Sequence, residues 1–337
     1  VVDKRHYYDE FDYEGKQLRV EVYRPRIYAP NEGRLTKMVS WICQKCISAA
    51  AIKIEKKFDV VYCHFWSSAI HLKDYVEKTC TPLIVACGED KINLRYLRTT
   101  RIVSQIKVLT KGVICVSSKN KEESVAAGLT IAEKCIVLPN AVDAGEFMKL
   151  DKQKTRNELG FPSDAFIVAF LGRFNERKGA SRVSEAIKKC EDDNIKAIDI
   201  GKKTTGDTFV PEGNNVLFYG TLAHSDVVKY LNAADVFVLP TLAEGCSNAI
   251  VEAMACGLPI ISSDLPFNYD ILNTENSIMV DPMNVEQITS ALKDLKNSQA
   301  RCAAMSEAAL QSVMELTIEK RAAKIAGFID SIIKRDE

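Results

Sequence analysis

The sequence has neither a net charge nor an apolar run of the length that a membrane span requires. Lysine plus arginine equals aspartate plus glutamate, at 45 each among 337 residues, which argues against nucleic acid as the main partner. A transmembrane helix would need about 18 consecutive apolar residues. The opening VVDKRHYYDEF contains no apolar core, so we do not expect it to be a signal peptide.

The cysteines also lack the spacing that a metal site or a disulfide framework would require. There are eleven, an odd number, and the CxxC formed by Cys43 and Cys46 lies in a helical pattern with no second CxxC. Cys63, Cys87 and Cys115 lie in apolar runs, where cysteine packs as a small hydrophobic residue. These features predict a reducing, cytosolic compartment and no metal site.

Short apolar runs alternate with helical patterns along nearly the whole chain. The runs are continuously apolar, which is typical of parallel strands covered on both faces. In the first half we predict strands at Arg19–Tyr23, Val60–His64, Leu83–Cys87, Val113–Val116 and Cys135–Leu138. In the second half we predict strands at Phe166–Leu171, Ile195–Ile200, Val216–Tyr219, Val236–Leu239, Pro259–Ser262 and Ser277–Val280.

Helical patterns between these runs imply an α/β protein with doubly wound parallel sheets. We predict helices at Leu35–Lys57, Ala180–Cys190, Ser225–Ala233 and Asn248–Ala255, and two more within Arg301–Asp336. The polar stretch between Asp143 and Phe166 divides the sequence into two Rossmann-like domains. We expect residues 1–145 to form the first domain, 146–316 to form the second, and 317–337 to form a helix that packs back on the first domain.

The stretch from Leu239 to Asp264, LPTLAEGCSNAIVEAMACGLPIISSD, is the most informative. A strand is followed by a loop with Glu244 and Gly245, then by a helix for which Ser247 is an N-cap candidate. Free N–H groups at such a helix start favour anionic or hydroxyl-rich ligands. On their own, however, Glu244 and Glu252 are more typical of a solvated loop carboxylate and an exposed helix residue than of a ligand site.

Two further stretches follow predicted strands. In FLGRFNERKGA, Arg173 and Lys178 flank the turn after a strand and could hold a diphosphate, or could simply be surface charges. In VVYCHFWSSAIHL, His64 ends a strand and is either a structural hydrogen-bonding residue or a cleft residue. Phe65 and Trp66 beside it could be core residues or a platform for a sugar.

Together these stretches resemble the retaining GT-B glycosyltransferases, family 4 type, also called glycosyl transferases group 1. The resemblance covers roughly residues 58 to 335 and rests on PN-x-VD, GR-x4-KG and EG-x6-EAMACGLP in this order. It implies two facing Rossmann-like domains with an interdomain cleft, residues 1–145 binding the acceptor and residues 146–316 binding the nucleotide-sugar donor. It also implies that Glu252 holds the donor ribose, Glu244 lies near the donor sugar, Arg173 and Lys178 bind the diphosphate, and His64 lies near the reacting sugar.

The resemblance implies a donor loop and a base pocket as well. The loop whose backbone approaches sugar and phosphate comprises Gly245, Cys246, Ser247 and Asn248. The pocket for the base is expected around Tyr219 and Gly220, and Ser117 matches a serine that the family usually has in the first domain.

Several positions depart from the family pattern. The early strand and Gly-rich loop are not found, so we expect either a part of a longer protein or an acceptor domain without them. Ala141 replaces the usual glycine, Cys87-Gly88 replaces His-Gly, GKKTTGD follows Ile200 in place of a Gly-x-Gly turn, and Asp270 replaces glutamate.

The family implies an enzyme that moves a sugar from a UDP- or GDP-sugar to a hydroxyl acceptor, with retention of configuration and without a metal. A sugar or a lipid-linked molecule is the expected acceptor, in polysaccharide or glycolipid synthesis. The alternative is a catalytically impaired module that binds sugar nucleotides or a partner. A sugar-nucleotide epimerase and a dehydrogenase are disfavoured, since the Glu pair is present and an early G-x-G-x-x-G is not.

Contact with the inner face of the cell membrane is a further expectation. The segments Arg34–Lys57, with Trp41, and Lys91–Lys111 are predicted to be helical and are rich in Lys and Arg. Such faces could dock on anionic lipid. A solvated face over an apolar core stripe is the interpretation that we favour.

Overall fold

A computed structural model describes residues 6–13, 16–23, 36–54, 58–92, 100–203 and 206–336. The strands are β1 His6–Tyr13, β2 Lys16–Tyr23, β3 Val61–His64, β4 Leu83–Cys87, β5 Thr110–Cys115, β6 Cys135–Val137, β7 Phe166–Leu171, β8 Ile195–Ile200, β9 Val216–Gly220, β10 Val236–Leu239, β11 Ile260–Ser263 and β12 Ser277–Val280. The helices are α1 Thr36–Ile52, α2 Phe65–Thr79, α3 Thr100–Leu109, α4 Ser118–Ala126, α5 Lys152–Leu159, α6 Ala180–Lys189, α7 His224–Ala233, α8 Asn248–Ala255, α9 Val285–Asn297, α10 Gln299–Val313 and α11 Ile318–Asp336.

The second half of the chain forms a parallel sheet with the strand order β12-β11-β10-β7-β8-β9. The chain starts in the middle at β7, winds outward through β8 and β9, and then returns to β10 on the other side of β7. The direction of winding therefore reverses between β7 and β10. Ligands of doubly wound sheets bind at the carboxyl ends of the strands at this point.

The first half contains a smaller parallel sheet with the order β3-β4-β5-β6. The central strand β4 is completely buried, as its uninterrupted apolar sequence LIVAC predicts. Trp66 on α2 is fully buried, and its indole N–H donates to Ser124 Oγ over 3.1 Å. Trp66 is therefore a core residue and not a sugar platform, whereas the neighbouring Phe65 is exposed.

The core of the second half lies on both faces of its sheet. Phe170 and Phe237 on adjacent strands are fully buried, as are Ile250 and Met254 on one face of α8. The helices therefore cover the sheet through apolar stripes that recur at helical spacing. The two sheets and their helices confirm the expected fold class of two Rossmann-like domains.

The last helix returns to the first half of the chain. Ile332, on α11, is buried against Ile84 and Ile114 of the four-stranded sheet, with Phe328 packed beside it. Two chain segments connect the domains and pair with each other: the Val142 N–H donates to the Leu316 carbonyl over 2.9 Å. The two connecting segments are therefore held together by an isolated parallel bridge between Val142 and Thr317.

Two expectations about the first half need correction. The strand predicted at Arg19–Tyr23 does not join the parallel sheet, because it pairs antiparallel with β1 in a two-stranded hairpin. The helix predicted across Lys91–Lys111 is shorter: α3 ends at Leu109, and Lys111 lies on β5. Residues 93–99 of that segment, and the side chains of Trp41 and Cys43, lie outside the described residues.

Among the described residues, no helix combines the length and apolar character needed to cross a bilayer.

Candidate active site

The reversal point of the larger sheet brings together two of the expected site residues. Lys178 follows β7 and Glu244 follows β10, and these strands are direct neighbours. Lys178 Nζ lies 2.5 Å from Glu244 Oε1, and both side chains are largely buried. A short, shielded ion pair of this kind holds both groups in a defined geometry.

The Glu244 carboxylate has two more partners. Thr241 Oγ1 donates to Glu244 Oε1 over 2.8 Å, and Arg177 Nη1 lies 3.9 Å from Oε2. Arg177 also donates to the Ala243 carbonyl at 2.8 Å. Sequence reasoning missed Arg177, although its place beside Lys178 in NERKG could have indicated it. Glu244 is therefore a buried, positioned carboxylate and not a solvated loop residue.

Arg173 lies apart from this ion pair. Its side chain is exposed, and it makes no hydrogen bond or ion pair with any residue that the structure describes. The neighbouring turn is tight, because a Cβ built at Gly201 would lie 1.8 Å from the Gly172 carbonyl oxygen. Only glycine fits at position 201, where φ is +155°. Arg173 thus stands on a rigid turn with its charge free for a ligand.

The α8 start lies directly after Glu244. Ser247 occupies the N-cap position, but its hydroxyl accepts no hydrogen bond from the helix. The expected capping interaction is therefore wrong, and the first N–H groups of α8 have no side-chain cap. Asn140 Nδ2 donates to the Cys246 carbonyl at 2.9 Å and to Asn248 Oδ1 at 2.7 Å. Through Asn140, the PN-x-VD motif therefore holds the donor loop in place. The sequence of the motif alone did not indicate this role.

Glu252 lies one turn further along α8, about 6 Å from Asn248 in rise. Its side chain is largely buried, and His224 Nε2 lies 3.5 Å from Glu252 Oε1. Burial raises the pKa of Glu252 above its ordinary value, and the adjacent His224 opposes that rise. Glu252 is therefore a largely buried hydrogen-bond acceptor one turn into α8. His224, which sequence reasoning also missed, is the first residue of α7.

Tyr219 and Gly220 end β9, two strands away from β7 on the other side of β8. Tyr219 is exposed, and Gly220 has a φ of +144°. The Gly220 carbonyl accepts from the Gly201 N–H at 2.7 Å, which ties the loop after β9 to the loop after β8. The segment after Gly220 leads straight into His224, and so connects the expected base pocket to Glu252.

His64 ends β3 of the other domain and is exposed. Its register partner on β4 is Ala86, two residues before Gly88. Gly88 is in contact with the donor loop, because a Cβ built at Gly245 would lie 2.4 Å from the Gly88 carbonyl oxygen. His64 therefore stands near the line where the two domains meet. Phe65, next to it, has a φ of +69°, a conformation that costs a non-glycine residue about 1–3 kcal/mol.

Three of the expected residues thus lie in two clusters joined by α8. One holds Lys178 and Glu244 before the helix, and the other holds Glu252 with His224. No contact between described side chains links the clusters directly. A cation, an uncapped helix start and a buried carboxylate one turn apart are suited to a ligand with a diphosphate and a hydroxylated ring.

Residues 151–312 match the family model described as glycosyl transferases group 1. The glycosyltransferase TuaC assigned to teichuronic acid biosynthesis in Bacillus subtilis (strain 168) is 29% identical over 56% of this chain and 47% of its own length. A GDP-mannose-dependent monoacylated alpha-(1-6)-phosphatidylinositol monomannoside mannosyltransferase of Corynebacterium glutamicum is 27% identical over 51% of this chain and 49% of its own. The chain therefore spans about half the length of these two relatives.

The fold has counterparts among solved structures. The structure of Anabaena Alr3699/HepE in complex with UDP-glucose superposes with a TM-score of 0.72, covers 89% of this chain and 84% of that one, and is 19% identical. At this identity the likeness concerns the fold. The chain therefore has the two Rossmann-like domains of the GT-B fold, and its residues 151–312 match the glycosyl transferases group 1 family.

Proposed function

We propose that this protein is a retaining hexosyltransferase that moves a sugar from a nucleotide-diphosphate sugar to a hydroxyl acceptor. The observation that carries this proposal is the shielded Lys178–Glu244 pair at the carboxyl edge of the sheet, directly before the uncapped start of α8. Glu252 on the same helix supplies a buried carboxylate one turn away. This set of groups matches the diphosphate, the sugar and the ribose of such a donor.

In this proposal the reaction is departure of a nucleoside diphosphate from the anomeric carbon. Negative charge grows on the leaving phosphate, so Lys178, Arg173 and the N–H groups of α8 stabilise the transition state. The acceptor oxygen bonds to the anomeric carbon on the face that the diphosphate leaves, and its proton passes to the leaving phosphate. His64 orients the reacting sugar across the cleft. These charges fulfil the role that a divalent metal has in other transferases.

The donor is proposed to be a UDP- or GDP-sugar. Two similar proteins support this choice in different ways, since the name of one specifies GDP-mannose and the structure of the other contains UDP-glucose. The base is expected near Tyr219 and Gly220, at the end of β9. UDP and GDP both contain a diphosphate and a ribose. The described contacts therefore support a nucleotide-diphosphate sugar as the donor and do not distinguish uracil from guanine.

The acceptor is proposed to be a sugar or a lipid-linked molecule in polysaccharide or glycolipid synthesis. The names of relatives support this direction, since they specify teichuronic acid biosynthesis and a phosphatidylinositol mannoside. Every cysteine whose side chain the structure describes is a free thiol, which supports the proposed cytoplasmic location.

A thermal-shift screen tests donor binding. UDP, GDP, ADP and their hexose derivatives are added separately, and a ligand that binds the folded protein raises its melting temperature by mass action. We expect one base to raise the melting temperature with and without its sugar. No shift with any of these nucleotides would contradict the proposal.

Transfer assays test the site. Lys178→Ala and Glu252→Ala are each expected to reduce transfer at least about 100-fold, the scale of a lost transition-state contact. Lys188→Ala and Glu185→Ala, on the exposed face of α6, are matched controls that should leave transfer unchanged. Equal activity of the site variants and the controls would refute the assignment. Donor binding without transfer by the unmodified protein would instead favour a binding module.

A further inference from the structure

His224 lies between two carboxylates that come from different parts of the chain. Its Nδ1 is 3.1 Å from Glu146 Oε1, in the segment that connects the domains, and its Nε2 is 3.5 Å from Glu252 Oε1 on α8. The imidazole ring also packs edge-on against the buried Phe147, with 5.0 Å between ring centroids. Two contacts through its ring nitrogens and one with the Phe147 ring determine where this side chain lies.

The two partners of the imidazole differ in their exposure to water. The His224 side chain is 63% exposed, whereas the Glu252 side chain is only 14% exposed. A carboxylate that is largely withdrawn from water stays ionised only if nearby groups compensate for the lost hydration. Among the described side chains, His224 is the one group within 4 Å of the Glu252 carboxylate that can carry a positive charge.

The electrostatic surroundings of His224 are simple. Glu146 faces it from the interdomain segment, Glu252 faces it from α8, and Asp226 lies in the same first turn of α7. Burial lowers the pKa of His224, but the two glutamates outweigh this effect and raise the pKa above its ordinary value. The imidazole therefore remains protonated to a higher pH than a free histidine.

We propose that His224 is a positioning residue for Glu252, which it keeps ionised and oriented toward the pentose hydroxyls of the donor. This inference rests on the proposed function, in which Glu252 accepts hydrogen bonds from those hydroxyls. The proposal makes donor affinity depend on pH through His224. Because the imidazole is exposed, it can change its orientation when the nucleotide binds. The contact with Glu146 keeps it close to Glu252.

The direction of the pH dependence follows from the charges. An ionised Glu252 accepts two hydroxyl hydrogen bonds, so affinity should fall when acid protonates this carboxyl. The imidazolium of His224 lowers the pKa of Glu252. Removing it should therefore cause the loss of affinity to begin at a higher pH. The effect should therefore diminish as the pH rises, because at high pH the Glu252 carboxyl loses its proton with or without the imidazolium.

The test is the affinity for UDP, GDP and ADP, measured by calorimetry at pH 6 and pH 8. For the nucleotide that binds, we expect His224→Gln to weaken binding about threefold to tenfold at pH 6 and to change it little at pH 8, since a tenfold effect corresponds to a change of one pKa unit. His224→Lys restores a cation and should recover most of the affinity at pH 6. Lys229→Ala, on the exposed face of the same helix, is the matched control.

A second readout needs no nucleotide. The four histidines of the chain can be followed by NMR, and His224 is identified by the signal that His224→Gln removes. We expect the His224 titration to move to lower pH in Glu252→Gln, because one of its two carboxylate partners is lost.

The possible failures separate the two proposals. Equal weakening at pH 6 and pH 8, or no recovery in His224→Lys, would overturn the inference while leaving donor binding intact. An unchanged His224 titration in Glu252→Gln would overturn it without reference to any ligand. Absence of nucleotide binding by the unmodified protein at both pH values would instead refute the proposed function, and with it the pentose role of Glu252.

Discussion

Asp199 carries a carboxyl group that folding withdraws from water. It lies on β8, between Phe170 of β7 and Tyr219 of β9 in the strand register. It is only 5% exposed. Burial raises the pKa of this carboxyl from 3.8 to about 7. The folded protein therefore binds a proton at this position that the unfolded chain has already released.

This residue should make the protein less stable as the pH rises. The free energy of unfolding should fall between about pH 4 and pH 7, by up to about 4 kcal/mol from this group, because only the unfolded chain ionises freely there. Asp199→Asn should match the unmodified protein near pH 4 and exceed it in stability at pH 8. Urea unfolding at both pH values measures the difference.

Asp193→Asn, at an exposed position, is the control and should show no such dependence. A constant difference between Asp199→Asn and the unmodified protein across this range would show that the Asp199 carboxyl keeps its ordinary pKa.

Some site residues could be recognised by type and spacing, and others only by position. Glu244, Glu252 and Lys178 lie in motifs of high specificity. His224 and Asn140 act through contacts with residues 28 and 108 positions away in sequence, respectively. A single histidine at a helix start or an asparagine after a proline has many possible roles. Only the contact of His224 with Glu252 and the contacts of Asn140 with the donor loop distinguish them.

At the scale of elements, α11 packs closely against the four-stranded sheet where that sheet has a glycine. Gly112 lies on β5, beneath Ile332 and Phe328 of the helix. A Cβ built at Gly112 would lie 2.4 Å from Ile332 Cδ1 and 2.8 Å from the Phe328 ring. The helix can approach the strand so closely only because the strand has glycine at this position.

Gly112→Val should push α11 away from the sheet. We expect faster amide hydrogen exchange across residues 325–332, since the buried contacts of the helix are lost. Gly327→Ala on the same helix is the matched control, because a Cβ there would meet nothing within 4 Å. It should stabilise the helix by up to about 1 kcal/mol through propensity alone. Exchange that is unchanged in Gly112→Val would mean that α11 does not depend on this contact.

At the scale of the whole molecule, polar contacts join the two domains around the candidate site. The Asp270 carboxylate accepts from the Ser118 N–H at 2.7 Å and from its hydroxyl at 2.6 Å. Arg177 donates to Asp90 over 2.9 Å. Ser117, which matches a serine usual in the family, is a buried N-cap for α4 and lies next to Ser118 at this junction. The replacement of glutamate by Asp270 thus falls on an interdomain contact.

Gly245 of the second domain lies directly against the Gly88 carbonyl of the first. This contact should determine how closely the two domains approach each other. Gly245→Ala would place a methyl group 2.4 Å from a backbone oxygen that cannot rotate away. We expect faster hydrogen exchange at residues 117–120 and a loss of transfer of about 100-fold, the scale of a misplacement of about 1 Å. Exchange mass spectrometry and a transfer assay measure these effects.

Gly88→Ala is the matched control from the other side of the same contact. Its Cβ would meet Val116 at 3.5 Å and Phe65 at 3.7 Å, which are ordinary distances. It should therefore change exchange and transfer little. Similar losses in both variants would show that the junction is sensitive to any added methyl group, and not to the geometry described.

The sequence by itself determined the fold class, because continuously apolar strands and amphipathic helices must assemble into covered parallel sheets. It also determined which loops follow the strands, and therefore where polar residues such as Glu244 and Lys178 gather. The tertiary structure decided which side chains meet. The order of the strands places β7 beside β10. The chain returns from the second domain and places α11 on the first, and the fold brings His224 of α7 into contact with Glu252. These pairings depend on distances between segments remote in sequence, which local pattern does not encode.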